Sequence, residues 1–169
     1  MMNPMRNPYI SKVTLNIGVG QTGEKLDNAK LLLERLTGMK PVETKARERN
    51  PVFKLRVGLP IGAKVTLRGK KAEEFLRRVF ASMKNKVKLS SIDNRGNISI
   101  GVKQYIDLPG IKYDPRIGVM GLDVCVTIER KGARVAHRRF NRAKLGKAQA
   151  ITKEETAAFL QEKFGVTVA

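Results

Sequence analysis

Four segments of the chain alternate apolar and polar residues with a period of two, and this pattern constrains the fold most. In Ser11 to Ile17, Val13, Leu15 and Ile17 share one face, and Lys12, Thr14 and Asn16 share the other. In Ile61 to Arg68, Ile61, Ala63, Val65 and Leu67 oppose Gly62, Lys64, Thr66 and Arg68. Ile98 to Lys103 and Leu122 to Glu129 repeat the pattern. Strands of that period are buried on one side and wet on the other. Parallel strands covered on both faces read instead as continuous apolar runs. The expected sheet is therefore mostly antiparallel or mixed, with one open polar face.

Apolar stripes of helical period lie between and after these strands. Leu26, Ala29, Leu33 and Leu36 form one, stopped at Gly38. Ala72, Phe75, Leu76, Val79, Phe80 and Met83 form a second. Thr152 and Glu155 have the spacing of a capping box, which opens a third helix ending at Gly165. Val166 to Val168 has room for a last short strand. These elements predict an α+β two-layer sandwich with helices on one face of the sheet. The 169 residues, 41% of them hydrophobic, suffice for a single domain with a real core. The stretches 44–54, 85–96 and 107–121 read as irregular, and connections that long are usually functional.

The charge points to a partner. Thirty-four Lys and Arg stand against 15 Asp and Glu, a net charge of +19. Eight of the cations, with His137, fall between Arg130 and Ile151, where there is no Asp or Glu. Such a run repels itself and suits a polyanion, above all RNA. It follows a strand and precedes the capped helix, so it reads as a basic loop projecting from the domain at about 130–150, mobile when its partner is absent. A membrane is a poor alternative: no stretch approaches the roughly 18 apolar residues of a spanning helix. Trp is absent, and Met1-Met2-Asn3-Pro4-Met5-Arg6 lacks the apolar core of a signal peptide. The lone Cys125 excludes an internal disulfide and fits a reducing cytoplasm.

Two segments have the chemistry of an RNA surface. Lys12, Thr14 and Asn16 with Lys64, Thr66 and Arg68 would make a flat donor face for phosphates and ribose hydroxyls. An ordinary solvated sheet face would look the same, and Asp123 and Glu129 weigh against a uniformly RNA-facing surface. The stretch from Thr44 to Arg56 mixes basic residues with Phe53, which either stacks on an exposed base or packs into the core.

One motif has the look of an enzyme. Gly18-Val19-Gly20-Gln21-Thr22-Gly23 matches the dinucleotide fingerprint, with Glu43 at the distance of a ribose-binding acid. The alternating strand, the missing succession of βα units and the high charge argue against it. The glycines serve better for a turn with positive φ or for backbone amides approaching an RNA backbone. One His and one Cys cannot build a zinc site or supply much catalysis. No cofactor, no resident metal and no homo-oligomer is expected.

Several short motifs stand in one order along the chain: Asn3-Pro4-Met5-Arg6, Lys12 to Gly20, Leu36-Thr37-Gly38, Pro41 to Arg47, Pro60 to Gly69, Gly110 to Pro115 and Ala136-His137-Arg138-Arg139. Together they resemble the universal large-subunit ribosomal protein that binds 5S rRNA, the fifth of the bacterial series, in its archaeal form. The resemblance implies a non-enzymatic cytoplasmic constituent of the large subunit. It would attach 5S rRNA in the central protuberance beside the large-subunit rRNA. It would also form a bridge to a small-subunit head protein, with the loop from Asp107 to Pro115 as a candidate. A basic loop would reach peptidyl-site transfer RNA. Carried onto this chain, 5S binding falls to Lys12, Thr14, Asn16, Gly18, Gly20, Thr44, Lys45, Arg47, Lys64 and Arg68. Contact with transfer RNA or rRNA falls to Arg134, His137, Arg138, Arg139, Arg142, Lys144 and Lys147. The alternatives are a nucleotide-dependent enzyme using Gly18, Gly20 and Gly23, or a factor that binds RNA outside the ribosome.

Overall fold

The computed structural model describes Asn3 to Val168, apart from the side chain of Pro4; Met1 and Met2, used above in the leader argument, lie outside the described residues. Among the described residues there are seven strands and three α-helices: β1 (Pro8–Gly18), α1 (Glu24–Thr37), β2 (Val42–Lys45), β3 (Pro60–Leu67), α2 (Lys70–Ser82), β4 (Lys86–Val87), β5 (Ile98–Val102), β6 (Leu122–Arg130), α3 (Lys153–Phe164) and β7 (Thr167–Val168). Five strands form a mostly antiparallel sheet in the order β2-β3-β1-β6-β5. β4 and β7 form a separate parallel pair. The α+β class expected from the alternation is observed. Among the described residues, no helix is long and apolar enough to cross a membrane.

The chain divides into two compact units. The first comprises residues up to Val13, Arg68–Ser99 and residues from Val126 on; the second comprises Thr14–Leu67 and Ile100–Cys125.

In the second unit, α1 packs on β3. Leu26, Ala29, Leu32, Leu33 and Leu36 are buried, so the stripe read from the sequence is the packed face. Gly38 ends α1 in the left-handed conformation, with φ +63° and its N–H donated to the Glu34 carbonyl at 2.7 Å. β2 departs from the expectation of an irregular segment beginning at Thr44. It runs antiparallel to β3, pairing Val42 with Lys64 and Thr44 with Gly62. Its pattern gave no warning, because it is a short edge strand with Val42 60% exposed.

In the first unit, Ala72, Phe75, Leu76, Val79 and Phe80 of α2 are buried. Phe80 meets Phe164 of α3 with ring centroids 5.2 Å apart. The capping box is formed: the Thr152 hydroxyl accepts from the Glu155 N–H at 3.3 Å, and the Glu155 carboxylate accepts from the Thr152 N–H at 3.2 Å. Within 85–96, Lys86–Val87 is a strand that the two-residue length hid.

Candidate nucleic-acid interface

On the open face of the second unit, the residues opposite the buried Leu15, Ala63 and Val65 come together. Lys64 is exposed, and Thr14, Asn16 and Thr66 are half-buried. At the centre of this face is Gly62. A Cβ there would lie 2.7 Å from the Ile17 carbonyl oxygen and 2.8 Å from Thr44 Oγ1. Glycine is thus required for Thr44 to lie against β3; Gly62 is buried beneath Thr44, and Gly18 beside it is exposed. Hydroxyl, amide and ammonium donors border a surface that a sugar-phosphate backbone can approach closely. Asp123 belongs to β6, beside Gly101 and separated from β3 by β1, so it does not interrupt this patch.

The chain leaves this face through a hairpin-like excursion over residues 46–59. Its base is closed by Ala46 N–H donating to the Leu59 carbonyl at 2.8 Å and Gly58 N–H to the Ala46 carbonyl at 3.0 Å. Asn50 and Leu55 form a bridge near the tip. Asn50 Oδ1 accepts from the Val52 N–H at 3.1 Å, which shapes the turn. Phe53 is 70% exposed, so the possibility that it packs into the core is excluded. Val52 is 83% exposed beside it, a partner the sequence reading did not single out. Arg47, Arg49, Lys54 and Arg56 of the same excursion are exposed.

The glycine loop does not make a nucleotide site. Val19 and Gly20 both donate their N–H to the Ile61 carbonyl, each at 2.9 Å. Those amides are spent inside the fold, so the expected approach of these two amides to a phosphate backbone is corrected. Glu24 and Asp27 sit in the first turn of α1, where a phosphate would otherwise lie. Glu43, the residue spaced as a ribose-binding acid, pairs with Ala63 and thus faces the helix side. Lys30 of α1 holds it at 2.5 Å. Hydrogen bonds to Glu43 and then Asp27 raise the Lys30 pKa above its ordinary value. Among the described residues, no cluster of His, Cys, Asp or Glu could hold a metal ion.

The loop over residues 107–121 is pinned to α1. Asp114 pairs with Arg35, and the Asn28 side chain donates to the Arg116 carbonyl at 2.9 Å. Asp114 Oδ1 accepts from the Arg116 N–H at 2.9 Å, and its own N–H donates to the buried Tyr105 hydroxyl at 3.1 Å. The hydrogen bond from Arg35, then the Arg116 amide, holds the Asp114 carboxyl below the usual carboxylate range. Asp114 is therefore a structural pin. Lys112 and Tyr113 of this loop stay exposed.

In the first unit, the basic run forms a loop closed at its base. Arg130 is only 10% exposed in its side chain. Its Nη1 donates to the Ala148 carbonyl at 2.9 Å, and its Nη2 to Glu155 at 2.6 Å. Gln149 donates to the Lys131 carbonyl at 2.8 Å. Arg130 thus serves the fold and is withdrawn from the polyanion-binding set. Arg134, His137, Arg138, Arg139, Arg142, Lys144 and Lys147 are all exposed. The Arg139 guanidinium lies 5.3 Å from the centroid of Phe140, which is 73% exposed. His137 Nε2 stands 3.5 Å from the Glu129 carboxylate. Lys12, grouped above with the sheet donors, lines a cleft with Arg142 and Lys144 of this loop. Neither Phe140 nor Arg95 on the same cleft was marked in sequence; a contiguous pair of aromatic and guanidinium side chains was the available signal for Phe140.

Comparison with known proteins shows the family of the chain. Residues 3–56 match the family described as ribosomal protein L5, and residues 60–159 match the model described as the C-terminus of that ribosomal family. A large ribosomal subunit protein uL5 from Methanosphaera stadtmanae is 47% identical, covering 99% of both chains. The protein of the same name from Nanoarchaeum equitans is 50% identical, again over 99% of each. That from Sulfurisphaera tokodaii is 49% identical over 99% of this chain and 95% of its own. The two matched segments together span nearly the whole sequence, and on that ground the chain belongs to the ribosomal protein L5 family, in its archaeal type.

Proposed function

We propose that this protein attaches 5S rRNA to the large ribosomal subunit through the open sheet face of its second unit. The coarser statement follows from family membership: the chain is a structural, RNA-binding constituent of the large subunit in the cytoplasm, not an enzyme. The observation that carries the finer reading is Thr44 packed over Gly62 beside the exposed Gly18, bordered by the donors Thr14, Asn16, Lys64 and Thr66. Lys45 and Arg47 extend this patch with cations, whereas Arg68 belongs to the first unit. The hairpin with Phe53 at its tip adds a stacking surface.

The loop from Arg134 to Lys147 is the second RNA contact, towards peptidyl-site transfer RNA or neighbouring rRNA. The pinned loop with Lys112 and Tyr113 is the candidate for the bridge to a small-subunit head protein. A gel-shift titration with 5S rRNA at rising salt tests the main assignment. Affinity should fall steeply, because each phosphate contact releases counterions. Asn16→Ala with Arg47→Ala should weaken 5S binding. Neutralising Arg138, Arg139 and Arg142 together should leave most of it and impair assembled ribosomes. Salt-independent binding, or no preference for 5S rRNA over an unrelated hairpin, would sink the assignment.

A further inference from the structure

Beside the basic loop, the first unit contains a cleft of about 800 Å³. It differs in kind from the flat sheet face. Its lining includes Leu145, which is 40% exposed, the nearly buried Ile128, Ala133 and Ile151 at its floor, and the cationic Lys12, Arg95, Arg142 and Lys144. The carboxylate in the lining, Glu129, faces His137 at 3.5 Å. The wall is preformed. Arg130 ties the carbonyl of Ala148 and the carboxylate of Glu155 to the end of β6, and Ala143 N–H donates to the Val135 carbonyl at 3.3 Å across the loop.

We infer that this cleft receives one unpaired nucleotide of an RNA chain, its base against the apolar lining and its phosphates on the cations. The inference rests on the reading that the basic loop meets RNA, and names what that loop takes. An inorganic anion has no use for Ile128, Leu145 and Ile151. An apolar protein side chain has no use for four cations. A nucleotide uses both, and the volume falls within the roughly 300–1,000 Å³ of small-ligand sites. Asn97 lines the same cleft and carries both a donor and an acceptor for a base edge. Pulling a base from a duplex costs a few kcal/mol, so the fitting source is a loop or bulge whose base is already unstacked.

The test uses the full chain with labelled Ile, Leu and Val methyl groups, titrated with hexa-adenylate, adenosine monophosphate and inorganic phosphate. Hexa-adenylate should shift the methyl signals of Ile128, Leu145 and Ile151. The monophosphate should shift the same signals at higher concentration, and inorganic phosphate should leave them in place. Leu145 is 40% exposed, so Leu145→Asp should fold while weakening hexa-adenylate binding by about tenfold or more. Ala143→Trp, at another exposed position on the cleft, should abolish the methyl shifts by filling it. Hexa-adenylate binding with all three methyls unmoved would overturn the inference while leaving 5S binding by gel shift intact. Loss of both in the unmutated protein would overturn the RNA reading as well. Shifts produced by an acidic leucine-bearing peptide, and not by hexa-adenylate, would assign the cleft to a protein partner and also overturn it.

Discussion

Lys30 of α1 reaches Glu43 of β2 at 2.5 Å, and with it closes the helix-covered side of the second unit. The pairing explains why a sequence with a dinucleotide-like glycine motif has no dinucleotide site. The acid that would hold a ribose is already bound, on the face opposite the open one. Alkaline conditions act on this pair late. Because the Lys30 pKa is raised, its contribution is complete below the ordinary lysine value and is lost as pH climbs through the raised one.

Asp114 behaves in the opposite sense. Its folded pKa is lowered by Arg35 and the Arg116 amide. Its contribution is therefore complete above the ordinary carboxylate value and is lost as pH falls through the lowered one. The protection of the Arg116 and Gly118 amides against exchange, relative to their intrinsic rates, should fall in that acid window. Asp114→Asn should show the lower protection already at neutral pH, with no further step on acidification. An acid step that persists in the variant would show that another group governs the loop.

Gly96 should not tolerate a side chain. Its φ is +75°, and a Cβ would lie 2.6 Å from Thr156 Oγ1 and 2.9 Å from Ile151 Cγ2. Thr156 is fully buried, and its hydroxyl donates to the Thr152 carbonyl at 3.1 Å, beside the Gly96 carbonyl at 3.3 Å. Gly96→Ala combines backbone strain with overpacking, and should cost about 2–4 kcal/mol of stability by denaturant titration. A cost below about 1 kcal/mol would mean that Ile151 and Thr156 yield easily.

Arg130 is the test of the loop's closure. Arg130→Met keeps the aliphatic stem but leaves the Ala148 carbonyl and Glu155 without their donor. Because Glu155 is 44% exposed, losing the pair should cost only about 1 kcal/mol. Exchange at Gln149 and Ala150 should rise strongly, with α1 amides unchanged. Equal rates in variant and parent would place the closure elsewhere, with Gln149 and Lys131 as the remaining tie.

Phe53 separates binding from stability. Being 70% exposed, it contributes little to the core, so Phe53→Ala should leave the melting temperature within about a degree or two. Loss of one stacked base should weaken RNA binding by about 1–3 kcal/mol. If affinity holds and the melting temperature drops, the side chain is structural after all.

The strands that alternate cleanly were legible because each buries one face: Val13, Leu15 and Ile17 in β1, and Leu122, Val124, Val126 and Ile128 in β6. The capping residues of α3 were legible because they act on neighbours three positions away. β2 was not, because an edge strand with no buried side chain has no apolar period to read. The facing of Glu43 was not legible because it depends on the register with β3, which local sequence does not encode. The close packing at Gly62 depends on Thr44, 18 positions earlier in the numbering. The cleft depends on Lys12, Arg95 and Lys144 meeting across the length of the chain. Residue types suggested RNA; only the pairing of distant segments sorted them into a sheet face, a hairpin tip and a closed loop.

The interleaving of the two units along the chain has a consequence during synthesis. Every residue of the second unit has been added once Cys125 is joined, whereas the first unit still needs the rest of β6, α3 and β7, whose Thr167–Val168 pairs with Lys86–Val87. Chains fold largely as units while they emerge from N-terminus to C-terminus. The sheet face with Asn16 and Thr44 can therefore mature first. The opening strand residues up to Val13, with α2, must wait for partners translated much later. A nascent chain stalled between Cys125 and α3 would then carry one finished unit and one with its apolar stripe at Phe75, Val79 and Phe80 still uncovered, the stage at which a growing chain most needs a chaperone.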